Sequence, residues 1–348
     1  MKANIFKYFI VSFAAMSIAC SCGKNSLETP PTETSPAIGF SNISTKAATI
    51  TELQTEGFGV WTFMDNAVVG TNQPIMENTK VIYDSETGSW KYSPLRYWID
   101  ESVFTFLAAY PYLAANLDDE NGVKYTIDPN IPALNINLSK TPAKKDFMIA
   151  TNVTDTRIEG FSPTVDLQFK HILTSVRLRI WRDHGKHQND QMRIRQVTLS
   201  NIRKAGTYSS STDSWTPSDE MLTLEEVYEG GTDEDNIGAA QVNDDGTLET
   251  ITRLLPAEPF GDVMLIPQTL DESNSVSLRI LYELKRQNAA DWEQIELETV
   301  LPDLTWEANR RYTYNVVLSS VTDITVYYIQ TKVDPWGTPQ VGGTVIIK

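Results

Sequence analysis

From Ile38 onward the chain is a succession of short apolar runs separated by polar turns. Ile38 to Ile43 is a β-like run with Ile38 and Phe40 on one parity. It stops at Ser44 and Thr45, and Lys46, Ala47 and Ala48 follow before a second β-like run, Thr49 to Leu53. "VFTFLAAYPY" (Val103 to Tyr112) is apolar on both parities, which predicts a central strand covered on both faces. "VSLRILYEL" (Val276 to Leu284) alternates. "YTYNVVL" (Tyr312 to Leu318) puts Tyr312, Tyr314, Val316 and Leu318 on one face. "DVMLIPQTL" (Asp262 to Leu270) reads as a strand ended by Pro267. Turn signals such as "SETGSW", "DENG" and "NDDG" lie between such runs, and no long stretch has a 3.6-residue period. The pattern predicts an all-β sandwich protein.

"VDLQFKHILTSVRLRI" (Val165 to Ile180) changes parity. Its apolar positions are first odd (Val165, Leu167, Phe169, Leu173) and then even (Val176, Leu178, Ile180). A strand has period two, so a bend is expected between Ile172 and Ser175, of the kind strands make on passing from one sheet to another. His171 lies on the apolar parity. The other histidines, His184 and His187, sit in a polar loop with Gly185 between them, so His171 reads as a core-edge residue satisfied by a backbone carbonyl. Trp90, Tyr92, Tyr97 and Trp98 form an aromatic cluster, read as core and rim rather than as a sugar platform.

The first residues have a different pattern. Lys2 and Lys7 precede the apolar "YFIVSFAAMSIA" (Tyr8 to Ala19), which is too short to span a bilayer and suits a cleaved signal. It runs into "SIACSCGK", small residues before a cysteine, the arrangement of a bacterial lipobox. Cys20 fits as the lipidated residue, with Cys22 as the alternative. These are the only two cysteines, so no disulfide staples the body. Residues 23 to 36, "GKNSLETPPTETSP", read as a flexible tether.

Of 348 residues, 45 are acidic and 29 basic, for a formal net charge of −16, which disfavours nucleic acid and anionic lipid as partners. Clusters such as Asp118-Asp119-Glu120 and Asp233-Glu234-Asp235 read as solvated loops. There is no G-x-S-x-G, H-E-x-x-H or G-x-x-x-x-G-K, and no cysteine nucleophile after Cys22. No catalytic residue, metal or cofactor is expected.

Four stretches, in order, resemble the Bacteroidetes fimbrillins, the Mfa-like pilus subunits. They are "WKYSPLRYWIDESVFTFLAAYPY" (Trp90 to Tyr112), "KKDFMIA" (Lys144 to Ala150), "VDLQFKHILTSVRLRI" and "LTWEANRRYTYNVVL" (Leu304 to Leu318). Ala308-Asn309 stands where a glycine-type turn is usual, and the acidic residues usual after the lipid cysteine are missing. The resemblance implies two tandem transthyretin-like Greek-key β-sandwich domains, placed at residues 37–160 and 161–348 with the boundary near Gly160. Before them stand the signal (1–19) and the lipidated tether (20–36). It implies a pilus subunit exported as a lipoprotein to the outer membrane and cell surface, anchored by lipid on Cys20. Its partners are a maturation protease cutting after Lys46, before Ala47, and other pilin subunits in a homo- or hetero-polymer. The cut would free the first strand (Ile38, Phe40, Ile43), and an apolar strand at 341–348 with Val345, Ile346 and Ile347 could replace it. An anchor subunit that keeps its lipid, or a surface glycan-binding lipoprotein, are the alternatives.

Overall fold

The computed structural model describes residues 35–45, 50–128, 130–143, 145–183, 185, 189–228, 237, 239–242, 248–250, 260–318 and 324–332. In the N-terminal half, β1 (Gly39–Thr45) leads into α1 (Ile50–Glu56). Then come β2 (Phe58–Asn66), β3 (Gly70–Asp84), β4 (Ser89–Lys91), β5 (Ser102–Tyr110), β6 (Leu117–Asp118), β7 (Val123–Ile127), β8 (Leu134–Leu138), β9 (Met148–Asp155) and β10 (Thr164–His171). Next are β11 (Thr174–Asp183), β12 (Gln191–Arg203), β13 (Gly206–Ser209), β14 (Ser214–Pro217), β15 (Met221–Val227), β16 (Ala239–Val242) and β17 (Leu248–Thr250). The last are β18 (Asp262–Leu265), β19 (Gln268–Leu270), β20 (Ser277–Lys285), β21 (Glu293–Val300), β22 (Leu304–Trp306), β23 (Arg310–Leu318) and β24 (Ile324–Lys332). The fold is all-β, with α1 the one helix among the described residues.

The second run, Thr49 to Leu53, is not a strand from Ile50 onward. Residues 50–56 form α1, with Leu53 fully buried and Ile50 packed against the same core. A five-residue β-like run does not distinguish a short helix from a strand. What fixes the helix is its end. Gly57 adopts a positive φ of 76°, its N–H donates to the Leu53 carbonyl at 2.9 Å, and a side chain there would meet the Val81 carbonyl oxygen at 2.4 Å. Only glycine suits that position.

The first sheet has seven strands in the order β1-β10-β9-β5-β2-β3-β4. β5 lies in its interior and is covered on both faces. Phe104, Phe106, Ala108 and Tyr110 enter one core; Leu107 and Ala109 enter another. The first core also holds Phe58, Val60, Trp98, Val165, Leu167 and Phe169. The second lies between this sheet and a five-stranded one, β14-β13-β8-β7-β6, with Trp61, Tyr125, Ile136 and Tyr208. β11 is central to a third sheet, β17-β16-β11-β23-β24, with β18 also on β11. Its inward residues Val176, Leu178, Ile180, Tyr312, Tyr314 and Val316 share a core with Val197, Leu199, Leu278, Ile280 and Tyr282 from the four-stranded β15-β12-β20-β21. β19 pairs with β22.

The parity change is a change of sheet. β10 ends at His171 in the first sheet and β11 begins at Thr174 in the third, with Ile172 and Leu173 buried between them. Gly160, the expected domain boundary, instead lies between β9 and β10, which pair with each other through Lys170↔Ile149 and His171↔Met148. β10 therefore completes the first sheet, and the division at 160 does not follow the sheets. The β13–β14 hairpin crosses it as well, because β13 pairs with β8. Hydrophobic parity marked the bend, but it carries no record of which sheet a strand joins.

The candidate strand-exchange groove

β1 occupies the edge of the first sheet, and its pairing with β10 is the one parallel pairing among that sheet's described strands. Ile38 and Phe40 are 1% and 6% exposed. The Phe40 ring makes edge contacts with Phe58, Tyr92 and Phe106, with centroids 6.4, 5.6 and 6.2 Å away. Burying Ile38 and Phe40 is worth about 1.5–3 kcal/mol each.

Backbone bonds hold the strand from both sides. On one side Gly39 N–H donates to the Pro163 carbonyl at 3.0 Å, and Gly39 to Ser41 align with Thr164 to Asp166. On the other, Ile38 N–H donates to the Arg96 carbonyl at 2.8 Å and Trp98 N–H to the Pro36 carbonyl at 3.1 Å, with Ala37 bridged to Tyr97. The segment after β4 thus meets the lead-in to β1, and the sheet wraps around its core with β1 as the closing stave. Without β1, the β10 edge and the 96–98 backbone would flank an apolar slot.

The walls are fixed independently of β1. Trp98 Nε1 donates to the Pro163 carbonyl at 2.9 Å, and Arg96 Nε donates to the Ile75 carbonyl at 2.9 Å. Trp98 stacks edge-on with Phe104, Phe106 and Phe161. The Tyr92 hydroxyl donates to the Ile38 carbonyl at 2.8 Å, and burial raises its pKa. Three of the four clustered aromatics are thus groove or core residues; Tyr97 is 38% exposed.

β1 is irregular in one place. Ser41 aligns with Asp166 and Ser44 with Gln168, so Asn42 and Ile43 together oppose Leu167. This is a bulge, with Asn42 at φ 46°. It turns Ile43 inward, against the core that holds Phe40. Ser41 Oγ and Asn42 Nδ2 donate to the same oxygen, Asp166 Oδ1, at 3.0 and 3.1 Å. Asn42, Tyr92, Arg96 and Asp166 escaped the sequence reading as strand-holding residues. Only the clustering of aromatics around Tyr92 hinted at them.

Beneath α1 lies a charged cluster. His171 is 2% exposed, and its Nδ1 is bonded to the Asp146 carboxylate, so a carboxylate takes the place of the expected backbone carbonyl. Lys145 Nζ bonds Glu56 Oε2 at 2.7 Å. Burial, then the nearby Asp146 and Glu56 carboxylates, raise the Glu52 pKa, and His171 and Lys145 oppose the shift. Among the described residues, no group of three or more His, Cys, Asp or Glu side chains is placed to hold a metal ion.

Cys20, Cys22, Lys46, Ala47, Val345, Ile346 and Ile347 lie outside the described residues, as do His184 and His187. Lys46 falls in the link between Thr45, which ends β1, and Ile50, which opens α1.

Among solved structures, the chain is similar to a fimbrial protein from Bacteroides vulgatus, with a TM-score of 0.61 and 17% identity over 85% of this chain and 99% of that one. It is also similar to a candidate cell adhesion protein from Bacteroides uniformis, with a TM-score of 0.45 and 17% identity over 87% and 99%. No curated protein matches it. The first of these likenesses supports the fold. The fimbrillin-like family model matches residues 45–336, spanning everything from the end of β1 to beyond β24, and by that match the chain belongs to the fimbrillin-like family.

Proposed function

We propose that the protein is a structural pilus subunit that supports cell adhesion. It travels to the outer membrane as a lipoprotein with lipid on Cys20 and assembles by protease-triggered strand exchange. A cut after Lys46 frees β1 together with the lipid. A neighbour's apolar strand, with Val345, Ile346 and Ile347, then enters the vacated lane. The observation that supports this most is the seat of β1: an edge strand, buried through Ile38 and Phe40, held on both sides by backbone bonds. Backbone bonds accept any extended chain, so another strand can take them over. Addition of this kind is head-to-tail and does not close, which produces a filament. The partners are other pilin subunits, the location is the cell surface, and the role is structural rather than enzymatic.

Protease treatment tests the reading. Trypsin is expected to convert the wild-type protein from monomer to polymer, and Lys46→Ala is expected to stay monomeric under the same treatment. Polymerisation of Lys46→Ala at the wild-type rate would remove Lys46 as the trigger. A cleaved wild-type protein that never polymerises would defeat strand exchange itself.

A further inference from the structure

Asp166 is the one acidic residue of β10, and it holds β1 from the outer face of the sheet, where it accepts from Ser41 and Asn42. Loss of β1 removes both donors and leaves a carboxylate facing the empty lane. The sequence Val345-Ile346-Ile347-Lys348 has a single parity compatible with that lane. With Val345 and Ile347 inward, Lys348 points out; the opposite parity would bury the Lys348 ammonium beside Ile346, at a large desolvation cost. A replacement running in the direction of β1 can put Val345 at the Ile38 position and Ile347 at the Phe40 position. Lys348 then stands where Ser41 stands, and Ser41 is aligned with Asp166.

Resting on the strand-exchange reading, we propose that Lys348 of a second copy pairs with Asp166, and that this ion pair sets the register of the incoming strand. Registers shifted by two residues put Lys348 opposite Thr164 or Gln168, which carry no charge. Apolar side chains alone distinguish such registers weakly, because a shift of two preserves parity. An exposed pair adds little affinity, so its effect falls on register and on rate of assembly.

Four full-length chains test this after protease treatment: wild type, Asp166→Lys, Lys348→Asp and the double exchange. Each single reversal is expected to slow polymer growth about fivefold, the double exchange to restore it, and 1 M salt to abolish the differences. Asp166→Asn, which still accepts from Ser41 and Asn42, separates charge from folding and is expected to slow growth by less than the reversal. Register is read directly by disulfide trapping, since both native cysteines leave with the cleaved fragment. Ile346→Cys falls at the Gly39 position and is expected to cross-link to Thr164→Cys, not to Ser162→Cys. Equal growth of all four chains, or trapping at Ser162→Cys, overturns the ion pair while the strand-exchange reading stands. Failure of the wild type to polymerise overturns that reading and this inference with it.

Discussion

Phe40 lies against Phe58, Tyr92 and Phe106, yet on the proposed pathway it belongs to the protein only until the cut. Truncating it therefore has two different outcomes. Phe40→Ala is expected to lower the stability of the uncut precursor by ~3 kcal/mol in denaturant unfolding, at the low end for a buried ring because the site is on an edge strand. The assembled, cleaved polymer is expected to be unaffected. Asn42 tests the bulge beside it. At φ 46°, Asn42→Val is expected to cost ~1–2 kcal/mol more precursor stability than Asn42→Gly, since both lose the bond to Asp166 and only glycine keeps the positive φ freely. Equal effects of the two would show that the positive φ is unimportant. Asn309, at φ 60° with its N–H donating to the Leu173 carbonyl at 2.9 Å, supplies the backbone conformation of the glycine usual in that turn.

Glu52 makes a pH prediction. Its carboxyl pKa is raised in the folded state by burial and by Asp146, so the folded state binds the proton more tightly than the unfolded one. The stabilisation linked to that proton is present below the unfolded value of 4.5 and is lost as pH rises through the folded pKa. At neutral pH the ionised group opposes the seating of α1. Glu52→Gln is accordingly expected to raise the precursor melting temperature at pH 7 by ~1–2 °C and to change it little near pH 4. A thermal melt at the two pH values checks this; a lower melting temperature at pH 7 would contradict the sign.

At the scale of elements, the strands that alternate or are apolar throughout were legible. β5, β20 and β23 follow the burial read from their residues, because period two translates directly into faces. α1 was not, since its identity depends on Gly57 and on how closely β3 approaches it. The bulge in β1 was hidden for a similar reason. Ile38 and Phe40 share a parity and Ile43 does not, and only the register against β10 shows that all three face one core. The partner of His171 is a carboxylate 25 residues away, a distance no local pattern spans. A prediction of the same scale concerns the replacement strand. Deleting residues 341–348 is expected to leave the precursor folded and cleavable while abolishing polymer growth, which sedimentation measures. Unchanged polymer would assign the donor strand elsewhere.

For the whole molecule, the first sheet is complete only with a strand that the cut would free. Two stretches of the chain flank the lane that β1 fills: the 96–98 segment and β10. β10 comes after Gly160, so the groove draws on residues from both sides of the boundary placed with the family resemblance. Signal removal takes Lys2 and Lys7, and the cut fragment takes Lys24 and Lys46 with Glu28 and Glu33, so the subunit left behind is two charges more negative than the full sequence. Mutual repulsion between such subunits makes assembly sensitive to ionic strength, with faster growth expected as salt rises toward 0.15 M and screening sets in.

The central claim is that β1 is replaced rather than retained. Intact-mass measurement of the polymer fraction after protease treatment tests it most directly. The account predicts subunits that begin at Ala47, with no fragment ending at Lys46 retained in the polymer. Polymer in which that fragment stays bound in equal amount would contradict it.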